Sequence, residues 1–169
     1  MSLGVVLQMA KQKAAKTNAV RLLEQQKINY NLIEYTIEDN QVDGVTVANK
    51  VGHPVKYVFK TLIATAGTGK FFVFVIPVSE ELNLKACAKI AGEKKVEMLH
   101  VKELLPTTGY IRGGCSPVGM KKLFPTFIDE TAAHLEYIVV SAGKIGMQIQ
   151  LDPNDLIRVT RGNFAKLTV

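Results

Sequence analysis

Residues 71–78 constrain the fold more than any other part of this chain. They read Phe-Phe-Val-Phe-Val-Ile-Pro-Val and contain no charged residue. Aromatic and β-branched residues favour strands, and an unbroken apolar run is typical of a strand buried on both faces. Residues 57–65 form a second strand-like segment, and residues 66–70 between the two contain two glycines. The pattern predicts a hairpin whose second strand lies inside a sheet.

The rest of the chain mixes short strand patterns with short helical patterns. We predict strands over residues 30–37, 95–99, 126–129, 137–141 and 145–151, helices over residues 17–27, 44–51 and 82–91 and from Pro153, which Asp152 caps, and one helical turn over residues 101–105 that ends near Pro106. Hairpins mixed with helical crossovers favour a mixed, α+β-like member of the α/β class. We therefore predict a mixed sheet or a partly closed barrel flanked by helices.

The length and composition limit the organisation of the chain and its partners. A chain of 169 residues favours one domain over residues 1–169, with residues 1–16 as a flexible or helical N-terminal extension. The net charge of +6 permits a phosphate-rich partner. No apolar run approaches the roughly 20 residues that span a bilayer, so no membrane association is predicted. Cys87 and Cys115 have no zinc-type spacing, which favours free thiols and a cytoplasmic protein.

No cofactor or metal site is predicted. Residues 66–70 read Ala-Gly-Thr-Gly-Lys, but a phosphate-binding loop would need glycine in place of Ala64 and Ser or Thr in place of Phe71. A hairpin turn is the better interpretation, because a β-rich run follows. The three histidines lie far apart in the sequence, and none has a nearby cysteine or carboxylate pair of the kind that binds zinc.

Two features are candidates for chemistry. Residues 109–122 hold four of the thirteen glycines together with Ser116, so this segment is either a ligand-binding loop that offers backbone amides or a buried turn between strands. Lys60 interrupts an apolar strand and shares one face with Val58 and Leu62. Its ammonium group either extends to solvent or enters a pocket, where it would bind an anion or stabilise an oxyanion. Lys144 is a weaker candidate.

Five short motifs in order resemble one known family. They are Phe-Lys-Thr-Leu at 59–62, Lys-Lys-Val-Glu-Met at 94–98, Thr-Gly-Tyr at 108–110, Gly-Gly-x-Ser-Pro-x-Gly at 113–119 and Ser-x-Gly-Lys-x-Gly at 141–146. Over residues 17–164 the chain resembles the YbaK/EbsC proteins, which are bacterial Cys-tRNA(Pro) deacylases related to the editing domain of prolyl-tRNA synthetases. The resemblance implies a mixed α/β domain with a strongly curved central sheet. It also implies hydrolysis, in trans, of the aminoacyl ester of mischarged tRNA.

The resemblance also implies a set of site residues. The key lysine of the family corresponds to Lys60, and the implied substrate-binding residues are Tyr35, Thr61, Gly113, Gly114, Ser116, Pro117, Gly119, Ser141 and Gly143. The implied partners are the 3′-terminal aminoacyl-adenosine of mischarged tRNA and prolyl-tRNA synthetase. In the family, the thiol of the cysteinyl substrate is thought to attack its own ester carbonyl.

This sequence departs from the usual family pattern at three positions. It has Cys115 where many members have an aliphatic residue, Met120 where many have Gln, and Ala142 where many have Gly. The preferred amino acid therefore stays open. Two other functions stay open as well. One is a non-catalytic regulatory module that binds tRNA ends or a synthetase. The other is a small-molecule hydrolase that uses Cys115 as its nucleophile, although Cys115 also suits a small buried apolar position.

Overall fold

A computed structural model describes residues 16–36 and 44–169 of the chain. Within these ranges eight strands and five α-helices alternate, with short 3₁₀ helices at Val55–Tyr57 and Glu130–His134. In chain order the elements are α1 (Asn18–Gln25), β1 (Asn31–Glu34), α2 (Gly44–Val51), β2 (Phe59–Gly67), β3 (Lys70–Pro77), α3 (Leu84–Ile90), β4 (Glu97–Met98), α4 (Val101–Thr108), β5 (Thr126–Asp129), β6 (Ile138–Lys144), β7 (Met147–Leu151), α5 (Pro153–Thr160) and β8 (Asn163–Ala165). The predicted N-terminal extension covers residues 1–16, and all of it except residue 16 lies outside the described residues.

The strands form two sheets. The larger sheet has the order β4-β2-β3-β5-β8, with antiparallel pairs around β2 and parallel pairs from β3 through β5 to β8. The smaller sheet is antiparallel, in the order β1-β7-β6. A single parallel bridge from Val58 to Val139 joins the two sheets. The predicted mixed α+β class is confirmed, and the described strands form two sheets with free edges instead of a closed barrel.

Strand β3 is buried on both faces, as its apolar run predicts. Val73 and Val75 face the main core, which lies between the two sheets and includes Leu23 of α1 and Leu156 of α5. Phe74 faces a second core against α3. Each fully buried side chain of this size stabilises the fold by about 1.5–3 kcal/mol. Strand β3 therefore anchors the larger sheet, and it pairs directly with β2, which carries the candidate Lys60.

Helix α4 extends beyond the predicted single turn, so the prediction that it ends near Pro106 is wrong. The helix continues through Pro106 to Thr108 and ends where Gly109 adopts φ +88°. Proline removes the hydrogen bond to the carbonyl four residues earlier, which belongs to Lys102. Lys102 is exposed, so water can replace that bond. The Thr108 hydroxyl donates to the Leu104 carbonyl at 2.8 Å and helps to close the last turn.

The hairpin of the smaller sheet turns later than predicted. Strand β6 continues past Ser141 to Lys144, and the turn falls at residues 145–146 instead of residues 142–144. The pairing register shifts between Ser141 and Lys144, which is a bulge in β6. Gly143 adopts φ +99°, a conformation that favours glycine. The Ala142 carbonyl accepts a hydrogen bond from the Thr17 hydroxyl, which also caps α1.

No helix within residues 16–36 and 44–169 has the length and apolar character needed to cross a bilayer.

Candidate active site

A cavity of about 520 Å³ lies beside strand β2. One side is formed by Val58 and by residues 59–63 of β2, and the other walls come from several other parts of the chain. Val45 of α2, Leu104 of α4, Gly113 of the glycine-rich segment and Ser141 of β6 each line one wall. The cavity is therefore built where the two sheets, two helices and the glycine-rich segment meet.

The edge of β2 is open at this cavity. The Val58 carbonyl accepts from the Val78 amide on the β3 side, and the Ile63 carbonyl accepts from the Leu99 amide on the opposite side. Strand β4 pairs with β2 only beyond Ile63. Because backbone groups alternate in direction along a strand, the amide and carbonyl of Thr61 point to the same side as Ile63, toward the unpaired edge. On that side no strand in the described ranges is registered with Thr61, so a ligand can approach its backbone there.

Lys60 lies in the wall of this cavity. Its side chain is partly buried and makes no hydrogen bond or ion pair with any residue in the described ranges. Arg112 lines the same cavity, and none of the described lining residues is a carboxylate. Of the two alternatives for Lys60, the structure favours a pocket lysine. The cavity presents two cations to an anionic ligand, with no described counter-charge inside it.

Two predicted site residues have hydroxyl groups without partners. Thr61 Oγ1 and Tyr35 Oη are shielded from solvent and make no hydrogen bond to the described residues. Thr61 lines the cavity, whereas Tyr35 follows β1 outside the described lining, with its amide donating to the Gly146 carbonyl. A buried hydroxyl without a partner costs about 1–3 kcal/mol. Such a cost is typical of groups kept for function.

The glycine-rich segment is packed against the smaller sheet and α1. Gly113 lines the cavity with φ +84°. A Cβ added at Gly114 would lie 2.9 Å from the Ile145 amide nitrogen, and one added at Gly119 would lie 2.8 Å from the carbonyl carbon of Asn18. Contacts this short leave no room for a side chain. Three of the glycines therefore allow this segment to form the wall of the cavity.

Tyr110 holds the segment in this shape. Its hydroxyl donates to the Val118 carbonyl at 2.7 Å, and burial raises its pKa to about 12. A Cβ added at Gly143 would lie 2.7 Å from the Tyr110 ring. Glycine at this position thus gives the aromatic ring its place between the segment and the β6 bulge.

Ser116 and Pro117 lie outside the described lining of the cavity. Ser116 is fully buried, and its hydroxyl oxygen accepts from the Val118 amide at 3.2 Å in a local turn. Pro117 and Gly119 border a second cavity of about 140 Å³ next to Leu22. The structure therefore brings Lys60, Thr61, Gly113 and Ser141 together in one cavity and places the remaining predicted residues outside its described lining, namely Tyr35, Gly114, Ser116, Pro117, Gly119 and Gly143.

Sequence reasoning missed Gln148. This residue lines the cavity from β7, directly opposite Ser141 in the β6–β7 register, and is 5% exposed. A signal for it was available, because Gln148 lies between Met147 and Ile149 in an apolar strand. That is the same pattern that singled out Lys60.

Cys115 lines the cavity as a neutral thiol. Burial raises its pKa to about 12, so almost none of it is thiolate near pH 7. We therefore expect Cys115→Ala to keep most of its hydrolytic turnover. We also expect iodoacetamide to alkylate Cys115 in the folded protein at least ~100-fold more slowly than in urea, because the thiolate is the reactive form. Peptide mass spectrometry measures both rates. A folded but inactive Cys115→Ala protein would instead support a cysteine nucleophile.

The chain belongs to the aminoacyl-tRNA editing domain family, because residues 38–159 match the model of that family. A protein of Enterococcus faecalis, named as the Cys-tRNA(Pro)/Cys-tRNA(Cys) deacylase EbsC, is 48% identical over 161 residues, which cover 95% of this chain and 98% of that protein. These two findings confirm the resemblance that the five motifs predicted.

Two solved structures share the fold. The hypothetical protein APE2540 matches with a TM-score of 0.81 at 21% identity, over 90% of this chain and 100% of that one. A structure described as a trans-editing enzyme for prolyl tRNA synthetase matches with a TM-score of 0.79 at 20% identity, over 90% of this chain and 95% of that one. At these identities the likeness concerns the fold alone.

Proposed function

We propose that this chain is a trans-editing hydrolase that cleaves the aminoacyl ester of mischarged tRNA, with Cys-tRNA(Pro) as its main substrate. The observation that carries the proposal is Lys60, a lysine without a described partner in the wall of a 520 Å³ cavity. The editing-domain family and the name of the Enterococcus faecalis relative support it. We place the activity in one domain over residues 1–169, in the cytoplasm.

The chemistry requires positioning and charge more than a strong protein nucleophile. An aminoacyl ester is already activated, so the protein has to hold the acyl group and stabilise the negative charge that develops on the carbonyl oxygen. Lys60 supplies that positive charge, or binds the terminal phosphate. Water or the thiol of the substrate attacks the carbonyl carbon. The bond from that carbon to the ribose oxygen then breaks, and the ribose oxygen takes up a proton.

The other predicted residues have two kinds of proposed role. Thr61, Gly113 and Ser141 contact the aminoacyl-adenosine directly, supported by their positions in the cavity lining. Tyr35 is a further contact, supported by its unpaired hydroxyl. The remaining residues, Gly114, Ser116, Pro117, Gly119 and Gly143, act on the substrate by shaping the wall.

Recognition of the correct tRNA is a separate part of the proposal. A net charge of +6 gives the domain a general attraction for tRNA, which is not specific for sequence. We propose that prolyl-tRNA synthetase supplies the specificity by presenting the mischarged tRNA. We also propose that the two sheets, joined at the Val58–Val139 bridge, act as one curved wall around the acceptor end, as in a partly closed barrel.

A deacylation panel tests the proposal. We expect the protein to release cysteine from Cys-tRNA(Pro) faster than it releases the amino acid from alanyl-, seryl- or prolyl-tRNA(Pro). Loss of acid-precipitable radiolabel measures each rate. The alternative regulatory module would bind the same tRNAs in a salt-dependent way and leave the half-life of every ester unchanged. That result would refute the hydrolase.

A further inference from the structure

Gln148 is a buried polar residue of the cavity wall. Its neighbours Met147 and Ile149 face the main core, so the side chain of Gln148 points to the opposite face of β7, toward the cavity. It is 5% exposed, and its amide makes no hydrogen bond to residues 16–36 or 44–169. The buried side-chain atoms without a described partner are Tyr35 Oη and Thr61 Oγ1, so the amide atoms of Gln148 are open to the cavity instead of sealed in the protein. A ligand in the cavity can therefore reach this amide and provide its partner.

The side-chain oxygens that line the cavity are the first indication of which ligand group Gln148 binds. Among the described lining residues, neutral side-chain oxygens belong to Thr61, Ser141 and Gln148. Thr61 Oγ1 is shielded from solvent, and Ser141 Oγ already accepts from the Gly143 amide at 3.2 Å. Gln148 Oε1 is therefore the acceptor that is most open to a donor of the ligand.

The charges in the cavity point to the same group. Lys60 and Arg112 attract the phosphates and the developing oxyanion, but they repel the α-ammonium group of an aminoacyl ester. That ammonium group needs an acceptor on another wall. A carboxylate would satisfy it, but a carboxylate in this cavity would also form an ion pair with Lys60 and cancel the positive potential that the anionic part of the substrate needs. A neutral amide accepts the ammonium hydrogen bond without forming that ion pair.

We propose that Gln148 Oε1 accepts a hydrogen bond from the α-ammonium group of the aminoacyl ester. Gln148 is then the residue that selects α-amino acyl esters over acyl esters without an amino group. Ser141, its cross-strand partner, lies beside it on the same wall. This inference rests on the proposed hydrolase function.

The test removes the amide of Gln148 from the protein and, separately, the α-ammonium group from the substrate. The substrates are cysteinyl-tRNA and 3-mercaptopropionyl-tRNA, which keeps the thiol and lacks only the α-ammonium group. We expect Gln148→Leu to raise KM for the cysteinyl ester roughly 10- to 100-fold, because it removes a hydrogen bond to a charged group. KM for the deaminated ester should not change. The melting temperature should stay equal or rise, because an unpaired amide has become an apolar group.

Two further variants complete the test. Gln148→Glu keeps an acceptor oxygen and should recover most of the increase in KM seen with leucine, for the cysteinyl ester alone, while kcat falls because the new carboxylate pairs with Lys60. Gln150→Leu is the matched control, because Gln150 lies on the same face of β7 two residues away and outside the described lining. Gln150→Leu should change neither the KM for the cysteinyl ester nor the KM for the ester that lacks the α-ammonium group. If Gln148→Leu does not fold, Gln148→Met, which is unbranched and of similar length, replaces it.

Each result separates this inference from the function on which it rests. An equal loss on both esters, or no loss on either, overturns the role of Gln148. A Gln148→Glu protein whose KM for the cysteinyl ester is as high as that of Gln148→Leu also overturns it. Failure of the unmodified protein to hydrolyse cysteinyl-tRNA refutes the hydrolase itself and is measured before any variant is made.

Discussion

Lys60→Ala should lose roughly 100- to 1,000-fold in kcat/KM for ester hydrolysis, the range found when a group that stabilises an oxyanion is removed. The fold should be unaffected, because Lys60 has no hydrogen bond or ion pair with the described residues that the substitution would break. Single-turnover deacylation measures the first effect, and thermal unfolding measures the second. Lys60→Arg should not restore activity, because a planar guanidinium differs from an ammonium in size and geometry.

Lys56→Ala is the matched control for Lys60. Lys56 lies four residues earlier, is exposed and does not line the cavity, so its replacement removes the same charge from the protein as a whole. We expect little change in hydrolysis beyond a small effect on tRNA attraction. Equal losses in the two variants would show that general charge, and not the pocket lysine, supports the activity.

Gly119→Ala should lower the free energy of unfolding by about 2–5 kcal/mol. About 1–2 kcal/mol comes from a Cβ in the left-handed region, and about 1–3 kcal/mol comes from overpacking. The added Cβ would lie 2.8 Å from the carbonyl carbon of Asn18 and 2.9 Å from the Tyr110 hydroxyl oxygen. Native proteins have only about 5–15 kcal/mol of stability in total. Urea denaturation measures the loss.

Gly69→Ala separates the two contributions. Gly69 has the same φ of +77° as Gly119, but a Cβ there would meet nothing within 4 Å. It should therefore show only the backbone cost, about 1–2 kcal/mol. Equal destabilisation by the two substitutions would contradict the close packing of the glycine-rich segment against α1.

The elements that the sequence predicted correctly have local signals. The β3 run, the helix predicted from residue 17 and the Asp152–Pro153 start of α5 each depend on residues adjacent in the chain. The two errors depend on distant contacts or solvent. Helix α4 continues through Pro106 because the affected carbonyl lies on an exposed residue, and the β6 bulge depends on packing against Tyr110.

The site residues likewise divide into those with a local sequence signal and those that depend on distant contacts. Lys60 lines the cavity, and its signal is local because it is a charged residue in an apolar strand; Ser141 also lines it, but it was implied only by the family resemblance. The hydrogen bond of Ser116 could not be predicted from the sequence, because residue spacing does not show whether a loop hydroxyl bonds to its own backbone. The packing roles of Gly114 and Gly119 depend on partners that are distant in sequence, Ile145 and Asn18.

The contact between Tyr110 and Gly143 has a consequence for evolution. The ring occupies the space that any side chain at Gly143 would need, and its hydroxyl holds the segment that carries Val118. A side chain at Gly143 would therefore need both a smaller residue at Tyr110 and a change in the φ of +99° at Gly143. The two positions constrain each other in evolution, although neither residue lines the cavity.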